Sequence, residues 1–425
     1  MFSPMRIILS AGKGGVGKTS VAAATGLELA RRGHRTLVMS VDPAHSLSDS
    51  FDLDRRLMDR SQGRLAKVRN NLWIQEVDIQ EEIQRHWKEV YAYISSLLNV
   101  SGLSEILAEE LAIFPGMEEV SSLMYINQYI REKTFDVILL DCAPTGESLR
   151  FVSIPTSLQW YMDKIFTAQR RVSKVVRPML SQLTSVPLPG DEYFANIERL
   201  YEKLHGIERV LVDPKVTTVR LVTNPEKVVL RETQRAFMYF CLYGMTIDAV
   251  IVNRLLPRQV SDSFFSGWKD LQERYLANIE EMFGPVPIWK LPLFDNEVLG
   301  VRELDRLAKT LYGSKNPAAV HYHEPPYKFS KSDGLYLLRV KMAFVDSEDI
   351  DLFQRFDELI VRVGSYKRHV SLPSRLANRP PSGARIEGKD LIISFGKGVE
   401  NGEAPSVVKQ SPAKPAAARQ KNQHV

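Results

Sequence analysis

Between Ser10 and Ser20 the chain reads S-A-G-K-G-G-V-G-K-T-S. The apolar run Ile7-Ile8-Leu9 before it predicts a short buried strand. Val21 to Arg32 after it, apolar at Val21 and Leu29, predicts a helix. Strand, glycine turn and helix are the context in which G-x-x-x-x-G-K-[ST], complete from Gly12 to Thr19, cradles phosphate. Gly12, Gly14, Gly15 and Gly17 lack Cβ, so the backbone can wrap closely around an anion. Successive N–H groups and the helix N-terminus then point at the phosphates. Lys18 is placed to bridge β- and γ-phosphates and the Thr19 hydroxyl to hold Mg²⁺. The nucleotide-binding candidates are therefore Gly12, Lys13, Gly14, Gly15, Val16, Gly17, Lys18, Thr19 and Ser20. The competing reading is a chance glycine turn, which the flanking strand and helix disfavour.

Such a loop asks for a parallel sheet behind it. Arg35 to Ser40, Leu72 to Val77, Phe135 to Leu140, Val219 to Val222 and Ala249 to Val252 read as buried strands. Helical spacing separates them, notably from Asp78 to Leu98 and from Glu226 to Tyr243. The expected fold is α/β: a mostly parallel P-loop sheet with helices on both faces and an inserted helical subdomain, followed by a small all-β sandwich. The expected domains are an ATPase domain over 1–315, with helical insertions at about 79–130 and 153–213, a linker over 316–326, a β-sandwich over 327–398 and a disordered tail over 399–425. Period-two alternation at Leu335 to Val340, Glu358 to Val363, Lys367 to Leu372 and Leu391 to Phe395 carries the β assignment. Pro380-Pro381 and Gly383 read as punctuation between strands. The tail is rich in Pro, Ala and Lys.

Composition narrows the class. Apolar residues make up 44% and charged residues 25%, as in ordinary globular chains, and the net charge of +5 (56 minus 51) is too mild and spread out to suggest nucleic acid. No apolar run approaches the ~20 residues that span a bilayer. Met1 to Pro4 lead straight into the first strand, without a signal or transit segment, so a cytoplasmic location is expected. Cys142 and Cys241 are the only cysteines and form no disulfide framework.

Ligands of parallel sheets bind at the carboxyl ends of strands. Asp42, at such an end, can orient a water for attack on phosphate; the alternative is a helix or turn cap. Asp141 reads as a second acidic group near Mg²⁺, reached through water; the alternative is a turn former. Asp141-Cys142-Ala143-Pro144-Thr145-Gly146 suits a switch loop that moves when γ-phosphate leaves. Asn253 can both donate to and accept from an adenine edge.

The second lysine, Lys13, within G-K-G-G-V-G-K-T resembles the deviant Walker-A branch of P-loop ATPases. That resemblance implies a homodimer with ATP sandwiched between subunits, Lys13 reaching the partner's nucleotide. Val41 to Phe51 (V-D-P-A-H-S-L-S-D-S-F), Asp141 to Phe151 (D-C-A-P-T-G-E-S-L-R-F) and Ile251 to Leu256 (I-V-N-R-L-L) are similar to the arsenite-pump and tail-anchored-protein-targeting ATPase family. Phe114 to Glu119 and Lys290 to Gly300 fit it as well. The resemblance implies an ATP-hydrolysing dimer coupled to a hydrophobic helical surface. It assigns Asp42 to water activation, with Lys13 and Lys18 completing the catalytic set, and Glu226 and Asn253 to nucleotide contact. Thr19, Asp42 and Asp141 make up its Mg²⁺ set.

Departures limit the transfer. Targeting members carry a Cys-x-x-Cys zinc clasp after the I-V-N motif; Pro257 to Trp268 here holds no cysteine, so no zinc is expected. Pump subunits use a cysteine trio and two fused halves; this chain has one loop and two scattered cysteines. Glu147 stands where the family usually has histidine. Ser96 to Ile113 and Pro155 to Phe166 offer apolar helix faces that could form a client groove or simply domain core. Lys164 to Arg177 is a basic segment open to an acidic partner, a lipid surface or plain solvation. The module from Tyr327 to Gly398 resembles the α-crystallin domain of small heat-shock proteins, in D-E-L-I-V-R-V-G-S-Y-K-R-H-V-S-L-P from Asp357 and G-K-D-L-I-I-S-F from Gly388. An ATPase of this family joined to such a domain resembles a bacterial and plastid branch. The expectation is a targeting factor or chaperone that binds hydrophobic or transmembrane client segments and a membrane receptor. Its rivals are the energising ATPase of an arsenite or anion pump and a ParA/MinD-like positioning ATPase.

Overall fold

Continuous apolar runs, rather than alternating ones, suit the strands of the first unit to a sheet covered by helices on both faces. The computed structural model describes residues 5–42, 46–54, 63–83, 85, 116–162, 191–332, 335–345, 349–355, 358–373, 376 and 379–396. Ser96 to Ile113, Lys164 to Arg177 and the tail beyond 396 lie outside the described residues, as do Pro43 to His45.

In the unit ending at Pro325, β1 (Arg6–Ala11), β2 (Thr36–Ser40), β5 (Val137–Asp141) and β6 (Thr217–Thr223) are buried along their whole length. With β3 (Ala66–Arg69), β4 (Leu72–Glu76), β7 (Ile247–Leu255) and β8 (Ile288–Pro292) they form an eight-stranded sheet ordered β3-β4-β2-β5-β1-β6-β7-β8. All neighbours are parallel except β3, an antiparallel edge strand on β4. The loop after β1 thus sits mid-sheet, flanked by the ends of β5 and β6.

Helix α1 (Lys18–Arg31) follows that loop and packs beside α10 (Gly300–Tyr312). Val21, Leu27, Leu304, Leu307 and Leu311 join strand residues Ile8 and Val38 in one core cluster. The other helices among the described residues are α2 (Ser46–Ser50), α3 (Ile79–Glu82), α4 (Met117–Glu132), α5 (Thr145–Tyr161), α6 (Asp191–Leu204), α7 (Ile207–Val212), α8 (Lys227–Leu242) and α9 (Ser266–Phe283).

At the far end of the sheet two arginines are buried. Arg220 pairs with Asp248 at 3.2 Å, and Arg6 lies 3.8 Å from the same carboxylate. Burial pulls the Arg6 guanidinium down to about 10 against the attraction of Asp248. Arg220 also donates to the Tyr312 hydroxyl at 3.2 Å and the Pro317 carbonyl at 2.7 Å, and Arg6 to the Ala318 carbonyl at 3.0 Å. The start of the stretch read as a linker is therefore fastened to the sheet.

The second unit begins at Pro326. Its strands are β9 (Tyr327–Ser332), β10 (Leu335–Lys341), β11 (Ile350–Arg355), β12 (Glu358–Val363), β13 (Tyr366–Ser371), β14 (Pro381–Glu387) and β15 (Asp390–Phe395). They make two antiparallel sheets, β14-β15-β10-β9 and β11-β12-β13. Leu338, Val340, Leu359, Val361, Ile393 and Phe395 are among its buried apolar residues, drawn from both sheets. Pro381 is a correction to the sequence reading: it opens strand β14 instead of separating strands. The first position of an edge strand tolerates a missing N–H, and the register shifts between Pro381 and Gly383.

Candidate nucleotide site

The loop is held from behind by two later strands. A Cβ on Gly12 would stand 2.2 Å from the Val222 carbonyl oxygen, at the end of β6. One on Gly17, whose φ is +97°, would stand 2.4 Å from Nδ2 of Asn253 on β7. Any side chain at either position must displace main chain or a fixed amide. Asn253 Nδ2 donates to the Val16 carbonyl at 2.8 Å, and its Oδ1 accepts from the Arg254 N–H at 2.9 Å. The amide expected to read adenine is thus engaged in bracing the loop. Gly14 and Gly15 form the exposed tip, Lys13 is half-buried, and Lys18 is buried, its Nζ donating to the Lys13 carbonyl at 3.3 Å.

Register places Asp141 between Ser10 on β1 and Ser40 on β2. Its carboxylate is buried, and neither oxygen has a hydrogen-bond partner among the described residues. Burial raises its pKa to about 7; the nearby Thr19 hydroxyl and Lys18 charge pull it down, while Asp42 and Glu76 push it up. Thr19 Oγ1 lies 3.3 Å from Ser46 Oγ, at the start of α2. An orphaned carboxylate facing a lysine and a threonine hydroxyl is a donor set of oxygens that suits Mg²⁺. Asp42 is half-buried at the end of β2, its N–H donating to Ser40 Oγ at 3.2 Å.

Two residues that sequence reasoning passed over belong here. Ser46 meets Thr19. Glu76, the last residue of β4, accepts from the N–H groups of Leu47 and Ser48 at 3.0 and 2.9 Å through Oε1, fixing the first turn of α2. Only the sheet's register brings Glu76 to α2, so no local spacing announced it. Glu76→Ala is expected to cost about 1–2 kcal/mol in denaturant unfolding. A loss below the error of the titration would show that α2 does not depend on it.

Beyond Gly17 a cavity of about 450 Å³ is lined by Ser20, Asn253, Phe294, Val298 and Leu307, among others. That size and mixed lining suit a planar base. The Arg306 guanidinium lies 5.1 Å above the Phe294 ring and stiffens that wall. Glu226 is exposed at the N-cap of α8, its N–H donating to the Asn224 carbonyl at 2.8 Å. It stands one strand over from Asn253, at the same end of the sheet. The structure therefore sets Asp42, Asp141, Asn253 and Glu226 at the same end of the sheet as the loop, Asn253 on the cavity beyond Gly17.

Comparison with known proteins matches residues 5–313 to the model of a family described as "Anion-transporting ATPase". The chain belongs to that family. Residues 333–395 match an "HSP20-like domain found in ArsA", the small all-β region anticipated from strand pattern. The ATPase is 49% identical over 393 residues to "Putative arsenical pump-driving ATPase 1" of Aquifex aeolicus, covering 92% of this chain and 99% of the relative. It is 38% identical over 398 residues to "Putative arsenical pump-driving ATPase" of Chlorobaculum tepidum, covering 92% and 96%. ATP hydrolysis is thus the activity of this ATPase. No helix among the described residues is long and apolar enough to cross a membrane. Cys142 and Cys241 are both buried. Burial pushes the Cys142 thiol far up, and Sγ donates to the Leu140 carbonyl at 3.7 Å, which favours packing over redox sensing.

Proposed function

We propose that this ATPase is a Mg²⁺-ATP-hydrolysing homodimer that binds hydrophobic segments of client proteins and alters its grip with nucleotide state. The observation that supports the reading is the direct covalent path from the Asp141 carboxylate through Cys142 to Pro144 into α5. That helix carries the first part of the apolar stretch Pro155 to Phe166; Pro155 is buried on it, and Ile154 and Leu158 are half-buried. A change at the γ-phosphate lies four peptide units from the helix that would touch a client.

Thr19, with Asp141 and Asp42 acting through water, would hold Mg²⁺, which when bound neutralises charge on the β- and γ-phosphate oxygens. Lys18 supplies positive charge at the same oxygens. Asp42 orients the attacking water, a positioning task that needs a half-exposed carboxylate rather than a sequestered one. Lys13, at the mouth, is free of the core and can reach a nucleotide in a second copy.

A second reading, the energising ATPase of an arsenite or anion pump, is favoured by the names of the relatives. Against a thiolate metalloid site stand two cysteines, both buried and far apart in sequence. Measuring ATP turnover of the full chain with a transmembrane-segment peptide, with arsenite and with antimonite separates the two. We expect severalfold stimulation by the peptide and none by the oxyanions. Stimulation by arsenite alone would replace the client reading with the pump reading.

A further inference from the structure

Away from the nucleotide site, a cavity of about 300 Å³ opens between α4 and α6. Met124, Tyr125, Gln128, Arg131 and Glu132 of α4 line it, with Lys203 of α6. Gln128 stands three or four residues from each of the others on α4, so one helix face supplies them all. Met124 is buried and Tyr125 half-buried, making a floor; Gln128, Arg131, Glu132 and Lys203 are exposed and make a rim. The walls are fixed to each other. Asn127 Nδ2 donates to the carbonyls of Lys203 and His205 at 2.6 and 3.2 Å, and Arg131 Nη2 to those of Glu202 and His205 at 3.0 and 3.2 Å. The Tyr125 ring stacks on Tyr129 with centres 6.1 Å apart, and the Tyr129 hydroxyl donates to Gln75 Oε1 at 2.8 Å. A site built before its ligand arrives spares binding the cost of ordering it.

Charge decides what could enter. The acids nearby are engaged already. Gln128 Nε2 donates to Glu132 Oε1 at 2.8 Å; buried Glu82 accepts from the Tyr125 hydroxyl at 2.7 Å and lies 3.3 Å from Arg85. Arg131 forms no ion pair among the described residues, and its two bonds go to neutral carbonyls. The Lys203 ammonium is partly withdrawn from water, which lowers its pKa against the attraction of Glu82, and Arg199 lowers it further. The carbonyl end of α6 would repel an anion, but Asn127 and Arg131 already cap it. Two cations on the rim, above a tyrosine ring and a thioether, match an anion with a flat apolar body. The volume is at the small end for ligand sites and suits one ring rather than a whole nucleotide. We propose that this cavity binds small aromatic carboxylates, the ring against Tyr125 and the carboxylate between Arg131 and Lys203.

Isothermal titration of the full chain with 4-hydroxybenzoate tests this, in saturating ADP so that the phosphate loop is filled. We expect saturable binding with a dissociation constant of about 1 mM or tighter. Benzyl alcohol has the ring without the charge, and inorganic phosphate the charge without the ring. Each should bind about tenfold more weakly or not at all. Lys203→Gln should weaken the carboxylate about tenfold, and Gln128→Trp, on the exposed rim, should block the cavity and abolish binding. Both variants should keep wild-type ATP turnover, since neither side chain belongs to the nucleotide site. A wild type without saturable binding overturns the proposal. So do variants that bind like wild type, which would put the ligand elsewhere. A control ligand binding as tightly as the carboxylate would leave only an apolar cleft or a bare anion site, and overturns it too.

Discussion

Asp141→Asn should slow ATP hydrolysis by about tenfold to a hundredfold while making the nucleotide-free protein more stable. The two effects have one cause. The carboxylate is buried with no hydrogen-bond partner among the described residues, and burial outweighs the pull of Lys18 and Thr19, so its charge is costly. Its native pKa is near 7, against 3.8 for an unperturbed aspartate. Between those values the native state holds a proton that the unfolded state has released. The group's contribution to stability is therefore complete below about pH 4 and is lost as pH rises through 7. Asn carries no titrating charge, so the variant's advantage should grow by on the order of 2–3 kcal/mol between pH 5 and pH 7 and then level off. Thermal unfolding of both proteins across pH, without nucleotide, measures it; parallel curves would mean that the carboxylate is compensated. Asp42→Asn is the control. That side chain is half-exposed, so turnover should drop without the stability gained by removing a buried charge.

The loop was legible because its chemistry is local: eight consecutive residues state the spacing, and the apolar runs beside it state the strands. β1, β2, β5, β6 and β7 were readable for the same reason, each holding a short apolar run. β8 (I-W-K-L-P) was not, since Pro285, Pro287 and Pro292 around it mimic a turn, and only its pairing with β7 makes it a strand. β3, mostly open to solvent, carries almost no apolar signal. In the second unit, β10, β12, β13 and β15 declared themselves by alternation. β9, exposed over most of its length, is a strand by pairing with β10 alone. Within the site, Ser46 and Glu76 act through contacts made by register rather than by sequence neighbourhood. Asn253 was assigned by the sequence to an adenine edge. Its observed bonds are to the loop itself, something a linear motif cannot express.

Arg220→Ala is expected to cost about 3–5 kcal/mol of unfolding free energy, the largest loss we anticipate from a single substitution. Arg220 is 1% exposed, and its guanidinium serves Asp248, the Tyr312 hydroxyl and the Pro317 carbonyl together. It also lies 5.2 Å from the centre of the Trp289 ring. Removing it leaves Asp248 with the more distant Arg6, strips the donor from Pro317 and opens a space no neighbour can fill without moving. Arg220→Lys should recover only part of the loss, because an ammonium cannot present donors in the plane that Asp248, Tyr312 and Pro317 require. Asp248→Ala alone should also be severe, and the double variant should lose less than the sum, since each single change strands the other charge. The Tyr312 hydroxyl lies 2.7 Å from Thr25 Oγ1 on α1, so the same cluster ties the helix of the phosphate loop to residues 317–319. Loosening it should expose that stretch to proteolysis before the sheet unfolds. A denaturant midpoint within 1 kcal/mol of wild type, or cutting near Pro317 no faster than before, would show that the buried arginine is not what fastens the end of the domain.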